Sequence, residues 1–253
     1  LEAARGPIGV CLQVANSETG VRQPVAEAVR ICREHQAMLL LDAAQAVGRI
    51  PVNFSRWAAD FLSFSGHKLH APQGVGALLV RNDGQMSPLL CGGGQEAGRR
   101  SGTEPAAAIA ALGAACAARA ERFSEEVATM AALRDRLEAG LRARIEGIEI
   151  NSGGVERVAN TANVRFPSID GQALVAQLDA AGVYCSQSSA CSSGRPEPSR
   201  VLRAMGLTEA EAYESVRFSV SCFNTEDEVD SAVELCAEIV ERLRRFAALR
   251  RDG

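Results

Sequence analysis

The sequence predicts an α/β fold, with a mainly parallel sheet in a first domain and an α+β domain after it. Three observations carry that prediction. Short apolar runs alternate with helix-like segments through the first half. Chemically capable polar residues fall just after those runs, where open parallel sheets bind their ligands. Beyond a long alanine- and arginine-rich helical stretch, a second series of strands and helices begins.

The elements follow in order. Residues 8–15 (IGVCLQVA) read as a buried strand. Residues 24–36 open on Pro24 and repeat apolar positions at helical spacing (Val25, Ala28, Val29, Cys32), which predicts a helix. Residues 37–44 are a continuous apolar run that ends in Asp42 and two alanines, and 60–66 and 75–81 are two further strands. Residues 91–103 (CGGGQEAGRRSGT) form a glycine-rich loop, and 104–122 and 124–146 are helices. The domain boundary is placed between residues 122 and 123. The second domain reads as strand 158–165, helix 171–182, strand 183–187, a Ser/Gly/Pro-rich loop 186–198, helix 199–205, strand 215–220 and a helix from about 225 to 248. Thr225 before Glu226, Asp227 and Glu228 supplies an N-cap and a first turn of acids.

Composition removes several classes of function. The 253 residues are 47% hydrophobic and 23% charged, which is a globular composition. The net charge of −4 leaves no basic excess for phosphate backbones, so nucleic acid is not an expected partner. No apolar run approaches the roughly 18 residues of a membrane span. The first residue is Leu1, which reads as a processed chain or a piece of a longer one, and nothing sends it out of the cell. Eight cysteines lie scattered with no C-x-x-C pair, and there are three histidines, so neither a zinc site nor a disulfide framework is expected. Reduced thiols in a cytoplasmic protein are the expectation.

Of the 27 basic residues, one alone is lysine, Lys68; the rest are arginine. Arginine replaces lysine wherever only charge is needed, but not where a primary amine must lose its proton. Asp42, Gln45, Ser65 and His67 lie within 26 residues of that lysine, at predicted strand ends. A carboxylate, an amide, a hydroxyl, an imidazole and an amine suit a cofactor with a pyridinium nitrogen, a ring oxygen, a phosphate and an aldehyde.

The stretches LLLDAAQAVGRIPV and DFLSFSGHKLHAPQGVGALLVR resemble the class V aminotransferase family of pyridoxal-phosphate enzymes. GGGQEAGRRSGT, SSACSSGRPEPSRVLRAMG and VRFSVSCFNTEDEVD narrow the resemblance to cysteine desulfurases, and VANSETGVRQPV is a further family stretch. The resemblance implies the pyridoxal-phosphate transferase fold (fold type I), with residues 1–122 as part of the large cofactor-binding domain and 123–253 as the small domain. It also implies a further N-terminal section in the family, which supplies part of the sheet, a phosphate loop and a histidine stacked on the cofactor.

Position by position, the resemblance implies the following roles. Lys68 would bond to the cofactor aldehyde and then move protons, Asp42 would pair with the pyridinium nitrogen, and Gln45 would reach the ring oxygen. Ser65 and His67 would bind the phosphate. Thr103 would reach the phosphate of a neighbouring subunit, which makes a homodimer. Arg217 would hold the carboxylate of L-cysteine as a bidentate fork. Where the family has asparagine before the Glu of NSETG, this chain has Ser17 with Asn16 beside it, and one of the two would serve the ring oxygen. Cys191 would take the sulfur as a persulfide, leaving L-alanine, and pass it to an acceptor such as an iron–sulfur scaffold protein. Its loop of small residues with Gly194, Pro196 and Pro198 suits a thiol that must be exposed and move. The family's glycine three residues before that cysteine is Ser188 here. A Cys185–Cys191 disulfide is a minor alternative. Other readings are a non-catalytic truncated homologue that dimerises or depends on a partner, and a selenocysteine lyase or aminotransferase of the same family.

Overall fold

A computed structural model of the chain describes residues 1, 6–81, 86–187 and 197–249. Two compact units account for it: Leu1–Ala15 with Arg22–Phe123, and Asn16–Val21 with Ser124–Gly253. The division is not contiguous in sequence. The short stretch Asn16–Val21 belongs with the later residues because its carbonyls and side chains bond there: Gly20 O accepts from Val158 N at 2.8 Å, and Glu18 O from Asn163 Nδ2 at 3.1 Å.

The first unit holds a four-stranded sheet in the order β1-β2-β3-β4, formed by Gly9–Gln13, Met38–Asp42, Phe61–Ser65 and Gly76–Val80. β1, β2 and β3 are parallel, in the register Gln13↔Asp42 and Asp42↔Ser63, and β4 runs antiparallel to β3. The sheet is therefore mainly parallel, as its continuous apolar runs predict. Helix α1 (Val25–Glu34) makes the crossover between β1 and β2 and buries Val25, Val29 and Cys32. These three fall four and three residues apart, on one face of the helix. A single turn, α2 (Phe54–Trp57), is capped by the Asn53 side chain, which accepts from Arg56 N at 2.9 Å. Helix α3 (Ala106–Glu121) buries Leu112, which clusters with Ala71 and Val75.

The β3–β4 pair leaves no room at one position. A Cβ added to Gly76 would lie 2.6 Å from the carbonyl oxygen of Phe64 on the paired strand. Gly76→Ala is expected to destabilise the protein by about 1–3 kcal/mol, because backbone must shift to admit one methyl group. The midpoint of thermal unfolding, followed by circular dichroism, checks it.

Beyond Asn16–Val21, the second unit takes up the chain from Ser124, within the long helix α4 (Phe123–Arg144). An antiparallel sheet follows in the order β5-β6-β7, formed by Glu149–Ile150, Thr161–Arg165 and Ser215–Ser219. Helices α5 (Gly171–Ala180), α6 (Arg200–Ala204), α7 (Glu209–Tyr213) and α8 (Glu226–Leu249) complete it. The core packs Leu137 and Leu141 of α4, Val164 of β6, Val216 and Phe218 of β7, and Val233 of α8. Phe166 is fully buried and meets Phe218 edge to face, with ring centroids 6.4 Å apart. The helix start expected at Thr225 is present, since its Oγ1 accepts from Glu228 N at 3.2 Å.

One expected element is absent. Residues 183–185 form no strand, and Ser186 makes only an isolated bridge to Arg217. Val183 is spent closing α5: its N–H donates to Leu178 O at 2.8 Å, past Gly182 at φ +87°. A helix C-cap and the approach to a loop occupy the apolar residues that read as a strand. No helix among the described residues is long and apolar enough to cross a membrane.

Candidate functional site

Because β1, β2 and β3 are parallel, their carboxyl ends share one edge of the sheet, and the first unit's candidate residues gather there. Asp42 ends β2 and is exposed, with its Oδ1 accepting from Ala44 N at 2.9 Å. Its register partner on β3 is Ser63, one strand spacing away, about 4.8 Å. Half-buried Gln45 follows in the turn 43–50. Ser65 ends β3, and its hydroxyl meets Nδ1 of the exposed His67 at 2.8 Å. Lys68, half-buried, sits in the 3-10 turn Gly66–Leu69 directly after β3. A strand that ends in a tight turn fixes the lysine backbone at the rim, where its side chain can work.

Two supports of that turn were not legible in sequence. Arg49 donates from Nη2 to the Lys68 carbonyl at 3.4 Å and from Nη1 to the Ala44 carbonyl at 3.5 Å. Burial, and then the nearby Arg119, push its guanidinium down to about 10. Gly48, at φ +76°, lets the turn approach Leu69 so closely that a Cβ would lie 2.6 Å from its Cδ2. A single arginine among many carries no sequence signal for this work. The GR pair after a strand-end turn is the nearest to one.

Thr103 is exposed in the loop before α3, after Gly102, whose N–H donates to Gln95 Oε1 at 3.2 Å. The glycine-rich stretch is not wholly irregular, since Glu96–Gly98 form a 3-10 turn.

In the second unit, Arg217 lies on β7 opposite Asn163 of β6. Its Nη1 donates to Ser17 O at 3.0 Å, while its Nε is buried with no hydrogen-bond partner. Leaving such a donor unpaired costs about 1–3 kcal/mol, and an anion placed on that edge would remove the cost. Burial lowers the pKa of the guanidinium, with Glu18 and Cys185 acting the other way. Asn16 is buried and its Oδ1 is committed locally: it accepts from Glu18 N, Thr19 N and Thr19 Oγ1 at 2.9, 3.0 and 3.1 Å. This oxygen closes the turn, and the Ser17 carbonyl serves Arg217. Cys191 and Ser188 lie outside the described residues. Cys185 is inert by comparison with an exposed thiol: burial, and then Asp179, raise it to about 11, against the opposing charge of Arg217. Among the described residues no group of three or more His, Cys, Asp or Glu could hold a metal ion.

The donor set on the sheet edge fits a pyridoxal-type cofactor: an amine for an aldehyde, a carboxylate for a pyridinium nitrogen, and a paired hydroxyl and imidazole for a phosphate.

A family model, Aminotransferase class-V, matches residues 7–232. A cysteine desulfurase of Trichormus azollae is 43% identical over 243 residues, 96% of this chain and 61% of that protein. Cysteine desulfurase NifS of Azotobacter vinelandii is 44% identical over 239 residues, 94% of this chain and 59% of that protein. Among solved structures, a NifS-like protein from Rickettsia africae superposes with a TM-score of 0.86 at 35% identity, covering 93% of this chain and 62% of that one. SspA in complex with cysteine gives a TM-score of 0.73 at 32% identity, covering 88% and 62%. The chain thus spans about three fifths of the length of the relatives it matches.

Proposed function

The chain belongs to the class-V aminotransferase family, and on that premise we propose that it works as a pyridoxal-phosphate-dependent cysteine desulfurase. One observation carries the proposal. The sequence contains a single lysine, and it stands in the turn after β3, on the same sheet edge as Asp42. The identity of 40–44% to proteins named cysteine desulfurase supports the choice within the family.

Pyridoxal phosphate, when bound, supplies an electron-withdrawing ring that stabilises negative charge on the substrate carbon. The chain's residues do the rest. Lys68 holds the cofactor through its amine and afterwards carries protons at Nζ. The Asp42 carboxylate keeps a proton on the pyridine nitrogen. Gln45 reaches the ring oxygen, with a contribution from the 16–17 turn, where either the Ser17 hydroxyl or the Asn16 Nδ2 would donate, since the bonds that Asn16 makes within its own turn use only its Oδ1. Ser65 and His67 hold phosphate oxygens as a pair already hydrogen-bonded to each other. The Nε edge of Arg217 takes the carboxylate of L-cysteine.

Cys191 accepts the sulfur. Its thiolate bonds to the substrate sulfur as the carbon–sulfur bond breaks. The electron pair stays on the carbon side, which ends as the methyl group of alanine after protonation. The persulfide then serves an acceptor of the iron–sulfur scaffold class. The protein acts as a cytoplasmic homodimer in this reading, with Thr103 serving the neighbouring subunit's phosphate. The exposed loop position of Thr103, and the lack of a disulfide at any of the seven described cysteines, support those two points.

The Cys191→Ser protein tests the assignment. It is expected to bind pyridoxal phosphate with unchanged absorbance, yet to carry no extra sulfur on the 191 peptide after L-cysteine, by mass spectrometry. A persulfide found on another cysteine of that variant would overturn the role of Cys191.

A further inference from the structure

We infer that Glu18 is a positioning residue for Arg217: it holds the turn that braces the guanidinium, and its charge restrains the grip of that guanidinium on a carboxylate. The inference deepens the proposed function and rests on its placement of the substrate carboxylate at Arg217.

Glu18 is a buried acid that the chemistry proposed above does not use, at 6% exposure. It sits in a turn tied down on every side. Two consecutive carbonyls of that turn clamp a cross-strand pair: Ser17 O takes Arg217 Nη1 at 3.0 Å, and Glu18 O takes Asn163 Nδ2 at 3.1 Å. Asn163 and Arg217 face each other in the β6–β7 register. Asn163, with no exposure, is itself fixed from behind, its Oδ1 accepting from Asn151 Nδ2 at 2.7 Å. The Glu18 carboxylate accepts from the Ser199 hydroxyl, and that same oxygen caps α6 by accepting from Leu202 N at 3.1 Å. The acid is thus anchored through its main chain to the sheet and through its side chain to a helix start.

The anchoring has an electrostatic consequence. Arg217 keeps one edge committed to Ser17 and leaves Nε unpaired inside the protein. A fixed negative charge next to the Ser17 brace acts on that guanidinium without occupying the edge a ligand would use. It offsets the cost of burying the cation and weakens the field that a ligand carboxylate meets. Glu18 also acts on Arg217 in the direction expected of a neighbouring anion. Carboxylate binding is held below its maximum, which favours release of an amino-acid product.

The test compares three variants of the protein loaded with pyridoxal phosphate, by calorimetric titration with L-alanine, and with ethylamine as the probe lacking a carboxylate. Glu18→Gln keeps the acceptor for Ser199 and removes the charge. It is expected to bind L-alanine about threefold to tenfold more tightly, with ethylamine unchanged. Glu18→Asp keeps the charge but shortens the reach to Ser199. It is expected to lower the unfolding temperature and to give no tightening. Arg217→Ala is expected to lose the preference for L-alanine over ethylamine. A Glu18→Gln protein that binds L-alanine with the wild-type affinity or more weakly, beside an Arg217→Ala protein that has lost the preference, overturns the role of Glu18 and leaves the Arg217 assignment standing. An Arg217→Ala protein that retains the preference overturns both.

Discussion

Lys68→Ala protein is expected to lose all covalent labelling by borohydride in the presence of pyridoxal phosphate. The expectation is unusually sharp because the sequence holds no second lysine to take over. In wild type, peptide mapping after reduction should place the whole label on the 66–69 turn. Turnover of L-cysteine should fall by at least about a thousandfold, since both the attachment and the proton carrier are removed. Lys68→Arg should fare no better: it keeps the positive charge, but a guanidinium stays protonated and cannot take the aldehyde. Thermal stability should change little in Lys68→Arg, because the side chain is half-buried at a sheet rim and the positive charge is kept. Label recovered on the chain's N-terminal amine and not on Lys68 would contradict the assignment.

The largest stability effect is expected from the ion pair between Glu138 of α4 and Arg157. Both side chains are nearly buried, at 6% and 7% exposure, with Nη1 to Oε1 at 2.8 Å. Arg157 also donates to the Thr161 carbonyl at 3.4 Å at the start of β6, so the pair joins helix to sheet within the second unit. Glu138→Ala strands the buried Arg157 and should cost about 3–5 kcal/mol, while Arg157→Ala leaves Glu138 its longer pair with Arg142 at 3.8 Å and should cost less. For a chain of this size the unfolding midpoint should drop by roughly 10 °C. Replacing both residues, Glu138→Leu with Arg157→Met, should recover most of the loss, because the penalty comes from the stranded charge more than from the missing attraction. Single and double replacements with equal losses would show instead that the site fails through packing.

The three parallel strands of the first unit were legible because each is a five-residue, largely apolar run closed by a polar rim residue, Gln13, Asp42 or Ser65. Asp42, Ser65 and Lys68 could be placed at one edge for the same reason: parallel strands put every carboxyl end on one side. The second unit was harder. β5 has two residues and no periodicity to detect. VYC after α5 looks like strand, but Val183 closes the helix and Tyr184 is 82% exposed. Local composition cannot separate a helix C-cap from the start of a pleat. Asn16 was visible as a candidate through resemblance, while the commitment of its Oδ1 to three donors depends on a turn that only tertiary bonds define. The same holds for Arg49 and Glu18. Each is an ordinary charged residue in sequence, and its work comes from a carbonyl or hydroxyl more than 15 residues away along the chain.

The proposed removal of sulfur from L-cysteine is tested most directly by the product balance of the protein loaded with pyridoxal phosphate. L-cysteine is supplied with a thiol reductant, and L-alanine and released sulfide are quantified together. Equimolar alanine and sulfide, both lost in Lys68→Ala and Cys191→Ser, is the predicted result. Pyruvate or a transaminated acid in place of alanine, or no alanine from protein that has bound its cofactor at Lys68, would contradict it.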